Sequence, residues 1–88
     1  MGQIFVQQAE LTAEQVIRLR VEMHGLPPRT IDRDTAVRWM RDGHSLLAGA
    51  SRVALRLVEV GEGSSFYIRH DNALVAADAL PALPPIQG

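Results

Sequence analysis

Eighty-eight residues, 47% of them hydrophobic, with a formal net charge of −1, make one domain over residues 1–88. They exclude a disordered chain and leave no long-range pull toward nucleic acid or anionic lipid. The chain has no cysteine, so disulfides and thiolate metal sites are excluded and a reducing, cytoplasmic setting is expected. All nine basic residues are arginine, which rules out Schiff-base and phosphate-loop lysine chemistry. A high-GC bacterial genome explains that bias most simply; guanidinium forks for phosphate or carboxylate are the functional explanation.

The first residues, "MGQIFVQQAELTAEQ", have neither the basic start nor the apolar run of a signal peptide. Met1-Gly2 begins like a myristoylation motif, but Val6 stands where that motif wants Ser or Thr. No window approaches the ~18 apolar residues of a membrane span. Residues 2–8 alternate as a short strand, with Ile4 and Val6 on one face and Phe5 on the other. The next stretch predicts a helix over 12–24. Thr12 and Gln15 have the spacing of a capping box, Leu11 and Val16 that of a hydrophobic staple, and Gly25 follows as a stop. Val16, Leu19 and Met23 would line its apolar stripe.

Pro27 and Pro28 stiffen the connection. Asp32 then caps a second helix with Ala36, Val37, Trp39 and Met40 on its apolar side, ended by Gly43. The remainder reads as extended: a strand at 44–49, an alternating strand at 52–60, a glycine-rich turn "GEGSS", and a returning strand at 65–70. In the long strand Val53, Leu55 and Leu57 face one way, and Arg52 and Arg56 the other. Leu80 and Leu83, each followed by proline, are spaced to fall on one surface and close a core too small to close by itself, with Asp78 capping a turn. Residues 85–88 are expected as a disordered tail. The predicted architecture is α+β, ordered β-α-α-β-β-β. Two helices pack on one face of a mostly antiparallel three- to four-stranded sheet, with an ordered Leu/Pro tail.

Three stretches carry a resemblance: "DTAVRWMRDGHSL" at 34–46, Tyr67-Ile68-Arg69 at a strand end, and "DALPALP" at 78–84. From about Arg29 to Pro84 the chain resembles a bacterial family catalogued as domain of unknown function 3892. That resemblance implies a compact α+β domain and assigns no catalytic residue. Ala79 stands where the family pattern has Asn, and the helix predicted over 12–24 stands where the pattern implies a strand hairpin.

Few residues point to chemistry. His24, His44 and His70 lie on three different elements without zinc-ligand spacing. Asp32, Asp34, Asp42, Asp71 and Asp78 sit at helix or turn boundaries, where capping accounts for them. Ser64 and Ser65 lack a nucleophile elbow. No cofactor, metal, membrane partner or enzymatic activity is therefore expected. The expected function is a non-enzymatic module that binds another protein or a second copy of itself, through Trp39, Phe5 and the outer-face residues Val58 and Val60. The alternative is a nucleic-acid-associated protein using Arg52, Arg56, Tyr67 and Arg69 on one strand face; interleaved acids weaken it.

Overall fold

A computed structural model of the chain describes residues 2–12, 15–61 and 65–86. Its radius of gyration, 12.2 Å, matches the ~12 Å of one folded domain of this length. The architecture is mostly β. A five-stranded sheet is ordered β3-β2-β1-β4-β5, and a separate two-stranded sheet joins β6 to β7. The strands are β1 (Gln3–Thr12), β2 (Gln15–Met23), β3 (Arg29–Asp32), β4 (Ser45–Ala48), β5 (Val53–Ala54), β6 (Arg56–Val60) and β7 (Ser65–Arg69). The helix α1 spans Arg33–Arg41. The expected pair of helices on a three- to four-stranded sheet is thus corrected to one helix beside two sheets.

The stretch predicted as a helix is strand β2, antiparallel to β1. The β1–β2 hairpin carries two bulges. Gln7 has no partner on β2, and Ile17 has none on β1. Each extra residue shifts the inward phase by one. Core-facing residues therefore fall at Ile4, Val6 and Ala9 on β1, and at Val16, Leu19 and Val21 on β2. The Val16-to-Leu19 step copies a helical spacing. Thr12 and Gln15, spaced like a capping box, instead face each other as the last rung of the hairpin. Val16, Ile17 and Val21 are β-branched, and their fixed side-chain torsions favour the pleated surface.

Helix α1 follows the local signals. The Asp32 carboxylate accepts from the Thr35 N–H at 2.8 Å, and Gly43 beyond the end has φ +99°, which glycine adopts without steric cost. Ala36 is fully buried, and Val37, Trp39 and Met40 pack against the core. The chain then enters β4, which pairs parallel to β1 rather than antiparallel.

The strand expected over 52–60 is broken at Leu55, whose N–H donates to the Leu46 carbonyl at 2.8 Å. The break changes the phase: Leu55 and Val58 are buried, whereas Val53 and Leu57 are half-buried. The expected antiparallel hairpin does form, as β6 and β7. Most of its "GEGSS" turn lies outside the described residues.

The tail clasps the molecule. Leu80 and Leu83 pack against the core. The Ala79 N–H donates to the Ile68 carbonyl and the His70 N–H to the Ala79 carbonyl, both at 2.9 Å. The Ala9 N–H donates to the Pro84 carbonyl at 3.1 Å, on the length of β1 that lies beyond its pairing with β4. Of the expected disordered tail, Pro85 is exposed and Ile86 half-buried; residues 87–88 lie outside the described residues.

Candidate functional site

The sequence holds four aromatic residues other than histidine (two Phe, one Tyr, one Trp), and each carries a guanidinium over its ring. Arg29 lies 5.5 Å from the Trp39 ring centre, Arg33 5.7 Å from Tyr67, Arg41 5.1 Å from Phe66, and Arg52 5.0 Å from Phe5. One such contact per ~70–80 residues is usual, so the arginine-only basic set is put to use in stacking that a compact ammonium performs less well.

The arginines differ in what else they hold. Arg33 is consumed by Asp78. Its Nε donates to Asp78 Oδ2 at 2.8 Å and its Nη2 to Asp78 Oδ1 at 3.0 Å. The same carboxylate accepts the Val16 and Ile68 N–H groups, each at 2.8 Å. Asp78 therefore ties β2, β7 and the start of α1 together, a larger role than the turn cap expected of it. Burial alone would push its carboxyl upward; the Arg33 fork and the two backbone donors outweigh that and hold it below the usual carboxylate range.

The strand face proposed for nucleic acid comes apart. Arg69, opposite Arg56 in the hairpin, is 8% exposed. Its Nε and Nη2 donate to the two Asp71 oxygens at 2.6 and 3.1 Å, and its Nη1 to the Ala77 carbonyl at 2.8 Å. The Arg69 hydrogen bonds bring the Asp71 carboxyl down to about 2. Tyr67 lies beneath Arg33. Arg52 is not on a strand at all; it sits in the turn before β5, its N–H donating to the Gly49 carbonyl at 3.1 Å. Arg56 alone of the four remains exposed on that strand face, its Nη1 donating to Asn72 Oδ1 at 3.5 Å.

Of the expected protein contacts, Val58 is 6% exposed and belongs to the interior, and Val60 is half-buried at the end of β6. Phe5 and Trp39 have a different setting. Trp39 lines a cleft of about 470 Å³ with Ile4, Met23, His24, Arg29 and His44. Phe5 lines a second cleft of about 460 Å³ with Glu22, Met23, His24, Leu26 and Arg52. The two share Met23 and His24 at the end of β2 but open on opposite faces of the β1–β2 pair, because Ile4 and Met23 face the core side and Phe5 and Glu22 the other. Leu26, 56% exposed, stands at the margin of the Phe5 cleft. The Gly2 N–H donates to His44 Nδ1 at 3.3 Å, which leaves Nε2 as that ring's N–H donor in its neutral form. Two histidines from distant parts of the chain thus meet in one cleft, a proximity no spacing motif announces.

Arg52 has a further peculiarity: its φ is +52°, a left-handed conformation that costs a non-glycine residue about 1–2 kcal/mol. Among the described residues no three His, Cys, Asp or Glu side chains group as metal ligands, and no helix is long and apolar enough to cross a membrane.

Comparison with protein-family models, with curated proteins and with solved structures finds no match to this chain.

Proposed function

We propose that the protein is a small non-enzymatic binding module whose partner is another protein, held in the cleft that Trp39 lines at the end of β2. The single observation behind this is the Trp39 cleft itself, where the ring stands beside Ile4, Met23 and His44. The cleft sets an aromatic anchor against a methionine wall, the composition favoured at protein contacts. It is large enough to take one or two side chains of a partner.

Selection of displayed random peptides against the full chain tests this. Peptides should be retained by the wild-type protein and by Phe5→Ala, whose ring lies on the opposite face, and lost on Trp39→Ala, with both variants still melting cooperatively. Light scattering over a dilution series identifies the case in which the partner is a second copy: the mass should then fall on dilution, and Trp39→Ala should abolish the dimer. Salt-dependent binding of a labelled oligonucleotide, with no peptide retained, would overturn the proposal in favour of phosphate recognition.

A further inference from the structure

We infer that the Trp39 cleft takes up a segment of a second copy of this chain: the exposed loop 71–77, with Leu74 and Val75 as the inserted side chains. The inference rests on the binding cleft proposed above and names what fills it.

The loop is unusual for a protein surface. Ala73, Leu74, Val75 and Ala76 are consecutive, apolar and exposed, Leu74 at 76% and Val75 at 48%. Such a run does nothing for folding, and sequences avoid it unless the segment meets a partner. The loop is also held firmly. Arg69, itself 8% exposed, donates through Nε and Nη2 to Asp71 at one end of the loop and through Nη1 to the Ala77 carbonyl at the other. Asp71 Oδ1 also accepts the Ala73 N–H at 3.2 Å, and the Ala77 N–H donates to the Val75 carbonyl at 2.8 Å. A bridge between Arg69 and Ala79 closes the base. An apolar tip pinned in this way has little conformational freedom left to lose on docking.

The chain carries a receptor for such a tip. The Trp39 cleft, about 470 Å³, offers Ile4, Met23 and Trp39 to an inserted group, and its size suits the two side chains that the loop presents. Charge agrees. Asp71, whose side chain is 39% exposed, is the one charged residue within 71–77. Among the described residues the cleft is lined by Arg29, His24 and His44 and by no carboxylate. The Phe5 cleft, of similar size, holds Glu22, which would face Asp71. Arg56 meets the loop at Asn72 and not at the apolar tip. Loop and cleft have no residue in common, so the contact joins unlike patches of two copies.

Light scattering of the full chain over a concentration series up to about 1 mM tests this, since one loop in one cleft buries less than the ~1,200 Å² of stable complexes. The mass should rise above the monomer with concentration. Leu74→Asp should keep the chain monomeric at an unchanged melting temperature, because that side chain already stands in water. Trp39→Ala should be monomeric as well. Mixed in equal amounts, the two variants should form dimers and nothing larger, because the first still supplies the cleft and the second the loop. Assembly that survives either substitution, or a mixture that stays monomeric, would overturn the inference. A full chain that is monomeric throughout, yet retains peptides through Trp39, would overturn it and leave the binding role standing. Absence of both peptide retention and self-association would overturn both.

Discussion

The Asp78 carboxylate is fully buried, yet the geometry around it demands that it stay ionised, since four N–H bonds converge on two oxygens. Its folded pKa lies below the ordinary carboxyl value. The unfolded chain then takes up a proton more readily than the folded one as pH falls. The stabilisation is accordingly complete above pH ~3.9, the unfolded value, and drains away below it. Asp71, at about 2, contributes in the same direction. Asp78→Asn replaces one acceptor oxygen by a donor that faces other donors and leaves Arg33 unpaired. It should lower the unfolding free energy at pH 7 by about 3–5 kcal/mol, as breaking a buried pair does. It should also flatten the loss of stability between pH ~4 and ~2. Urea melts at several pH values read both effects, and an unchanged midpoint at pH 7 would refute the role. The sequence shows Asp78 only as an aspartate ahead of a Leu-Pro step. Its partners Val16, Arg33 and Ile68 lie 62, 45 and 10 positions away, so no local pattern could announce them.

Among the elements, those with local punctuation were legible and those built by long-range pairing were not. Helix α1 has Asp32 before it and Gly43 after it, and both act where the sequence puts them. Strand β2 carries a helical signature because the bulge at Ile17 separates two core residues, Val16 and Leu19, by three positions. A bulge is visible only once the partner strand is known. The same register argument predicts opposite outcomes for two deletions in β2. Deleting Ile17 removes the unpaired residue and leaves Val16, Leu19 and Val21 at alternate positions, all still inward. The shortened protein should fold and melt cooperatively. Deleting Arg20 instead makes Leu19 and Val21 neighbours, so one of them must turn to solvent together with everything beyond it. That protein should lose its cooperative transition. Circular dichroism melts of the two deletions decide the matter, and the reverse result would mean that the assigned register is wrong. The candidate site was half legible for a related reason. Trp39 stands out by residue type, whereas its wall of Ile4 and Met23 exists only after β2 is laid beside β1.

For the molecule as a whole, the question is what joins two sheets that share no ladder. Among the described residues, strands β6 and β7 hydrogen-bond to each other and not to the five-stranded sheet. A hairpin alone is marginal in water. The tail supplies the connection from both sides: Ala79 bridges to Arg69 of β7, Pro84 receives the Ala9 N–H of β1, and Asp78 joins β2 to β7 directly. Leu80 and Leu83 add apolar cover, but both are half-buried, so each is worth less than the ~2–5 kcal/mol of a fully enclosed leucine. The sequence pointed to the clasp and placed its strength in the leucines; the structure shifts much of that strength to the carboxylate and the backbone bonds. Two variants separate these contributions. Ending the chain at Ala77 removes all of them, a loss comparable with the ~5–15 kcal/mol that holds a domain together. Its thermal unfolding should become broad and uncooperative. Leu80→Ala with Leu83→Ala keeps Asp78 and the backbone bonds, so its transition should remain sharp at a lower temperature. A truncated chain that melts like the full one would mean that the hairpin is secured by the packing of Leu55, Val58 and Ile68 alone, and that the tail closes nothing. A double leucine variant as uncooperative as the truncation would return the clasp to hydrophobic cover, because its polar links would then be shown to hold only when that cover is in place.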